Sequence, residues 1–341
     1  MPISLAAILV LAALQDPDKL EKIWAVDAPF PVQSVALSPD AKTLVIGGYT
    51  TCHDLAVVDP SNGMLRKTWP VPKNTPEGAV TGMGFTADPN VFVTGGVDGW
   101  VRQWDPRSGR QIKSRNLSTP EETARILDLV TSPDGKVCAA ALQEKIVVLK
   151  SAGLEEIVRL AGYPYPGAVN GVVRPGGAHG LSFTPDGSKL ATAGNDGVLK
   201  VWEVKTGKVL LSVDGKADPR PYKIALSNDG KLMASAGANL ETRVWEVATG
   251  KLRMTGAHAP NNPSGFWFNS AGSTLLATDG KTAIVWEVET GKELSRLQTE
   301  IGGDASTLSR DGTLLVLGNI PSSKLSAYRW TGPKTATEGK K

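Results

Sequence analysis

The stretch "TAGNDGVLKVWEVKTGK", Thr192 to Lys208, sets two short apolar runs about a Gly-Asn-Asp-Gly turn, then closes on Trp-Glu and Thr-Gly-Lys. It is one copy of a repeated unit. "VDGWVRQWDPRSGR" (97–110), "NLETRVWEVATGK" (239–251) and "KTAIVWEVETGK" (281–292) have its shape. Weaker copies lie at 55–63, 146–153 and 325–332, where Val58, Leu149 and Tyr328 take the Trp position. A second marker precedes each copy, a turn of the Ser-Pro-Asp-Gly kind beginning at Ser38, Thr86, Ser132, Thr184, Ser227, Asn269 and Ser309. Successive turns are 48, 46, 52, 43, 42 and 40 residues apart. Pro presets one turn dihedral, Asp bonds its own backbone and Gly supplies positive φ, so each marker reads as a hairpin turn.

A period of about 45 residues with four short strands describes a propeller blade. In the fourth unit "AHGLSF" is the inner strand a, "KLATAG" is b, "VLKVWEV" is c and "KVLLSVD" is the outer strand d. One such sheet cannot bury both faces alone, and radial stacking covers each blade with its neighbours. The expected fold is therefore all-β, a single seven-bladed β-propeller of four-stranded antiparallel blades. After the seventh Thr331-Gly332 only the polar "PKTATEGKK" remains, so the last blade lacks strand d. "LEKIWAV" (20–26) is expected to supply it and close the ring.

Composition removes several function classes. Net charge is +3 and the chain has no Lys/Arg block beyond its closing "GKK", which argues against nucleic acid. Cys52 and Cys138 fit no metal spacing and are read as buried or unpaired thiols. The uncharged run Ile3–Leu14 is too short to span a bilayer and has the length of a signal-peptide core. Residues 1–15 are expected to be a signal peptide of an exported chain, 16–332 the propeller and 333–341 a polar tail. A buried strand or helix, and a cytoplasmic chain, is the alternative reading of that run.

These repeats resemble the WD-repeat (WD40) β-propeller family. The resemblance implies a hydrogen-bonded set of a Ser/Thr on strand b, an Asp in the b–c turn and a Trp on strand c, often completed by a His. Matching positions are Thr94, Asp98 and Trp104; Thr192, Asp196 and Trp202; and Ser235, Asn239 and Trp245. Blade six offers Thr278 and Trp286 with a shorter b–c turn, and the usual Gly-His dipeptide is absent throughout. A buried indole N–H needs an acceptor, so these residues are read as structural.

The chain shows no catalytic signature: no G-x-S-x-G, no phosphate loop, and three His residues in different blades. No metal site, cofactor or catalytic residue is expected. The resemblance implies a binding face made by the d–a and b–c loops, with contact positions early in each strand a: Gln33, Thr81, Leu127, His179, Tyr222, Ser264 and Asp304, with Arg125 and Arg220 two residues upstream in blades three and five. The longest spacing marks an inserted d–a loop, Gly162–Gly180, carrying Tyr163, Tyr165 and Arg174. Tyr and Arg are enriched in interface hot spots. The expectation is a non-catalytic module that binds a protein or peptide through Arg125, Tyr163, Tyr165, Arg174, His179, Arg220, Tyr222 and Asp304. A loop whose tyrosines pack over the blade edge is the plainer reading. A small-ligand or glycan binder, and a metal-dependent enzyme using the central channel, are the alternatives.

Overall fold

The computed structural model describes residues 20–48, 54–72, 80–119, 124–163, 168–169, 172–173, 177–194, 196–214, 221–237, 241–257, 264–278, 281–299, 305–319 and 323–330. Within them the chain is all strand and turn. It forms seven four-stranded antiparallel sheets and one two-stranded hairpin. Blades one to six take their four strands in order from 32–70, 80–116, 128–161, 178–214, 221–257 and 265–298. Blade seven takes three strands from 305–330 and its outer strand from Leu20–Asp27, which pairs antiparallel with Lys324–Trp330. The ring thus closes as expected.

The opening stretch explains itself locally. After strand c, the Thr-Gly turn reverses the chain. Gly207, Gly250 and Gly291 sit at φ +70, +71 and +72, a region costly for any residue with a Cβ. Each donates its N–H back to Glu203, Glu246 or Glu287 at 2.8–2.9 Å. The Thr hydroxyl one residue earlier donates to the carboxylate of the same Glu, at 2.7 Å from Thr249 and 2.5 Å from Thr290, and likewise from Thr206 to Glu203. Trp-Glu followed by Thr-Gly is a turn that satisfies its own polar groups.

The core lies between blades. Buried side chains fall into seven clusters, one at each blade–blade boundary. Strand alternation divides every blade between two of them. In blade four, Leu190 and Trp202 pack toward blade three, while Ala191, Ala193 and Val201 pack toward blade five. The closing strand belongs to this scheme. Trp24 packs among Val32, Leu44, Val58, Val316 and Leu325, and its indole N–H donates to the Pro60 carbonyl of blade one at 2.8 Å. Cys138 is free and buried, and burial pushes its thiol up to about 12.

The Ser-Pro-Asp-Gly turns also repeat a bond. The hydroxyls of Ser38, Ser132, Thr184, Ser227 and Ser309 donate to Asp40, Asp134, Asp186, Asp229 and Asp311 at 2.5–2.7 Å. All five carboxyls are held below their ordinary value. The Ser38 bond leads at Asp40, and a backbone N–H leads at Asp186. At Asp134, Asp229 and Asp311 burial opposes the shift and is outweighed. A depressed folded pKa stabilises above the unfolded value, near ~3.9 for Asp, and that contribution disappears as pH falls through the folded pKa. Thermal melts should therefore show little loss from neutral pH down to about 5, then a steep fall in Tm below about 4. A Tm flat to lower pH would show that these turns do not tie folding to ionisation.

Replacing Trp24 with Ala should cost about 3–5 kcal/mol, because it opens a cavity and removes the tie to Pro60. Urea unfolding followed by fluorescence measures this, and a loss below 1 kcal/mol would count against the closing strand as a main stabiliser.

Candidate interaction face

Where strand a begins, at the d–a end of the blades, the repeat breaks. In blades one, two, four and five its register with strand b skips one residue: Gln33, Thr81, His179 and Tyr222. An unpaired bulge residue re-aims its side chain away from the sheet. These four are among the early strand-a positions named for contact. Thr81 Oγ1 reaches across blades to the Ile126 carbonyl at 2.9 Å. Gln33 keeps a buried Oε1 with no partner.

The next residue of each strand a forms a level of the channel wall. Pairing with strand b puts Ser34, Gly82, Asp128, Gly180, Lys223, Gly265 and Ala305 in equivalent places. Five are small, and two carry opposite charges. Gly82 has no room for more, since a Cβ there would meet the Leu129 backbone at 2.3 Å. Asp128 and Lys223 belong to the blades on either side of blade four, and the Lys223 charge acts on both Asp128 and His179. Burial raises the Asp128 carboxyl, an effect that Lys223 partly offsets. Burial, then the Lys223 charge, lowers His179 and favours its neutral form. Sequence reading missed Asp128 and Lys223. The signal was available: a charge where other blades have Gly, Ala or Ser.

The remaining contact candidates separate. Arg125 is exposed just before strand a of blade three. Tyr163 is not: it is fully buried, and its hydroxyl bonds the Thr192 hydroxyl and the Thr192 carbonyl, the latter at 2.9 Å. Burial raises its phenol well above the ordinary value. Tyr163 is therefore a structural residue of blade four and not a partner contact. Tyr165, Arg174, Arg220 and Asp304 lie outside the described residues, as does the side chain of Tyr222. In the inserted loop, Ala168–Val169 and Val172–Val173 pair as a short hairpin.

The structural sets are bonded through the indole. Trp104 and Trp202 donate to Thr94 and Thr192 at 2.9 Å, and Trp245 donates to Ser235 at 3.2 Å. Asp196 accepts from the Val198 N–H at 3.0 Å, and Asn239 lies outside the described residues. Blade six departs. Trp286 pairs with Leu275, so the place of the strand-b hydroxyl falls on Ala277 and not on Thr278. The shorter turn moves the register by one residue, which puts Thr278 on the opposite side of the sheet. There it bonds Ser264 Oγ at 2.8 Å.

A cation faces each of these hydroxyls across the sheet. Arg102, Lys200 and Arg243 lie directly opposite Thr94, Thr192 and Ser235, two residues before each Trp. Arg102 grips Asp98 through two bonds, at 2.5 and 3.2 Å, with both side chains buried. Lys200 lies 4.6 Å over the Tyr163 ring and 5.3 Å over Trp202. Arg243 pairs with Glu241. Blade six, lacking the hydroxyl, has Ile284 there.

A cavity of about 1290 Å³ lies at the other end, lined by the a–b turns together with Trp267 and Trp330. No group of three or more His, Cys, Asp or Glu suited to a metal occurs among the described residues. Nor is any described helix long and apolar enough to cross a membrane.

This geometry defines a seven-bladed β-propeller. The WD domain, G-beta repeat model matches residues 70–105 and 171–203, which take in strands a to c of blades two and four. The chain thus carries two WD40 repeats within a seven-bladed propeller. It is similar to Periodic tryptophan protein 2 of Arabidopsis thaliana, 29% identical over 182 residues, covering 52% of this chain and 18% of the relative. It is also similar to Ribosome biogenesis protein erb1 of Aspergillus clavatus, 34% identical over 34% of this chain and 15% of the relative. Protein groucho of Drosophila melanogaster is 25% identical over 51% of this chain and 21% of its own length. The chain thus matches about a fifth or less of each relative's length.

Asp98→Asn should destabilise by about 3–5 kcal/mol, because it removes one charge of a buried, doubly bonded ion pair. Adding Arg102→Met should recover much of that loss. Thr192→Ala should cost about 2–3 kcal/mol, since it orphans the Trp202 N–H and leaves the Tyr163 hydroxyl with the Thr192 carbonyl alone, and Tyr163→Phe should cost about half as much. Chemical denaturation of these variants tests both sets, and equal effects of Thr192→Ala and Tyr163→Phe would refute the shared acceptor.

Proposed function

We propose that the chain is a non-catalytic interaction module that binds a protein or peptide partner at the d–a end of its channel. The observation that carries this reading is the break in the repeat at that end: bulges at Gln33, Thr81, His179 and Tyr222 interrupt the a–b ladder in four blades, beside the Asp128 and Lys223 charges. A rigid ring holds such groups at fixed spacing, which lowers the ordering cost of binding. Arg125, Arg174, Arg220, Tyr165, Tyr222 and Asp304 are the proposed contacts around that centre. Relatives named for ribosome biogenesis and for groucho are consistent with a module working within larger assemblies.

Those names give no support to the export expected from the Ile3–Leu14 run, which lies outside the described residues. The intact mass of the native chain separates the two: retention of residues 1–15 favours an internal protein, and their loss favours an exported one.

The binding test is a crosslinked pulldown comparing wild type with an Arg125→Glu/Arg220→Glu/Tyr222→Ala variant of unchanged Tm. Partners should fall about tenfold or more in the variant, as expected when interface anchors are lost. Equal recovery would move the site to another face.

A further inference from the structure

Every blade ends in an exposed outer strand, and an uncovered edge invites pairing with another chain. Six of the seven outer strands carry a basic residue that blunts the edge: Lys22, Arg66, Lys113, Arg159, Arg253 and Arg296. The outer strand of blade four, Val209–Asp214, carries none. Its sequence is VLLSVD, and Val209 and Leu210 are 39% and 40% exposed. Leu252, at the equivalent start of the adjacent blade-five strand, is 42% exposed and extends the apolar rim.

The flanking charges identify what would fit. Lys208 precedes the strand and Asp214 ends it, both exposed. When two copies of Lys208–Asp214 run antiparallel about Leu211, Lys208 of each faces Asp214 of the other. Val209 then faces Val213, and Leu210 faces Ser212. Cross-strand pairs of opposite charge and of apolar groups are the favourable kinds, and a two-fold axis makes the contact self-complementary. A copy of this chain supplies both charges in the same register.

We infer that the outer strand of blade four is a self-association edge, through which two rings join into a continuous eight-stranded sheet across a two-fold axis. This surface lies on the rim and is independent of the partner face proposed above. Leu210→Lys places on this edge the basic residue that the other six have. Lys208→Asp puts like charges opposite each other at both ends, and Lys208→Asp/Asp214→Lys restores the complement.

Sedimentation equilibrium of the full chain tests the inference. Wild type should show a reversible dimer. Leu210→Lys should be monomeric with an unchanged circular dichroism spectrum. Lys208→Asp should dimerise about tenfold more weakly, and the double exchange should return to the wild-type constant, a difference of about 1.4 kcal/mol each way. A wild type that is monomeric at every concentration overturns the proposal. So does a dimer that is equally tight in all variants. If Leu210→Lys fails to fold, the charge exchange at two exposed positions decides alone.

Discussion

A four-stranded antiparallel sheet with two apolar faces has no stable existence in water. Every other feature of this molecule follows from the need to cover both faces. Each blade divides its side chains between two clusters, so no blade owns a core, and the ring must close. Closure depends on Leu20–Asp27, which crosses the length of the chain to supply the outer strand of the last blade. Trp24 does more than fill that place, since its indole N–H reaches Pro60 in blade one and ties the last blade to the first. Gly63, at φ +76 beside Trp24, lets the blade-one turn approach the ring closely; a Cβ there would meet the indole at 2.9 Å. The loop-closure entropy is met once, and cooperativity around the ring follows.

Within the ring, the strand-b hydroxyl occurs only where strand c has an indole, though Trp286 of blade six has Ala277 in that place. Three blades with a Trp on strand c have Thr or Ser at the facing strand-b position. Where Val58, Leu149 or Tyr328 replaces the Trp, the strand-b position becomes Ile46, Ala140 or Leu317. A buried hydroxyl without an indole to receive would carry a desolvation cost for nothing. The cation opposite that hydroxyl obeys the same rule. Three different arrangements, an Asp98 clamp, a Tyr163 ring and a Glu241 pair, take up the three cations. The constraint is satisfaction of buried polar atoms, and the particular residue is free to vary.

Local chemistry made most of the fold readable. The Glu–Thr–Gly turn and the Ser–Asp turn each complete their hydrogen bonds within about five residues, so they leave a fixed pattern in the sequence. Strand order and ring closure followed from counting those turns. What was not readable depended on contacts between blades. Tyr163 stood in a loop rich in Pro and Gly and resembled an exposed anchor, but its ring is buried over Gly194 and Lys200, one blade strand away. Thr278 matched the spacing to within two residues, yet a one-residue change of register put it on the other side of the sheet. Asp128 and Lys223 stand far apart in the chain, and only the ring brings the Lys223 charge to bear on Asp128.

The repeat itself argues about where recognition can occur. A position that every blade fills alike is answering a demand of the ring, and it carries little information about a partner. The a–b and c–d turns are of this kind, each bonded within itself. The d–a end differs: bulges occur in four blades, the inserted hairpin in one, and a charge of either sign at a wall position otherwise kept to Gly, Ala or Ser. Burying Asp128 beside a channel opposes its ionisation, and Lys223 recovers only part of that loss. A scaffold selected for stability alone would place a small residue there, as five of its blades do. The two charges are therefore where the structure departs from what the ring requires, and the proposed partner face rests on that departure.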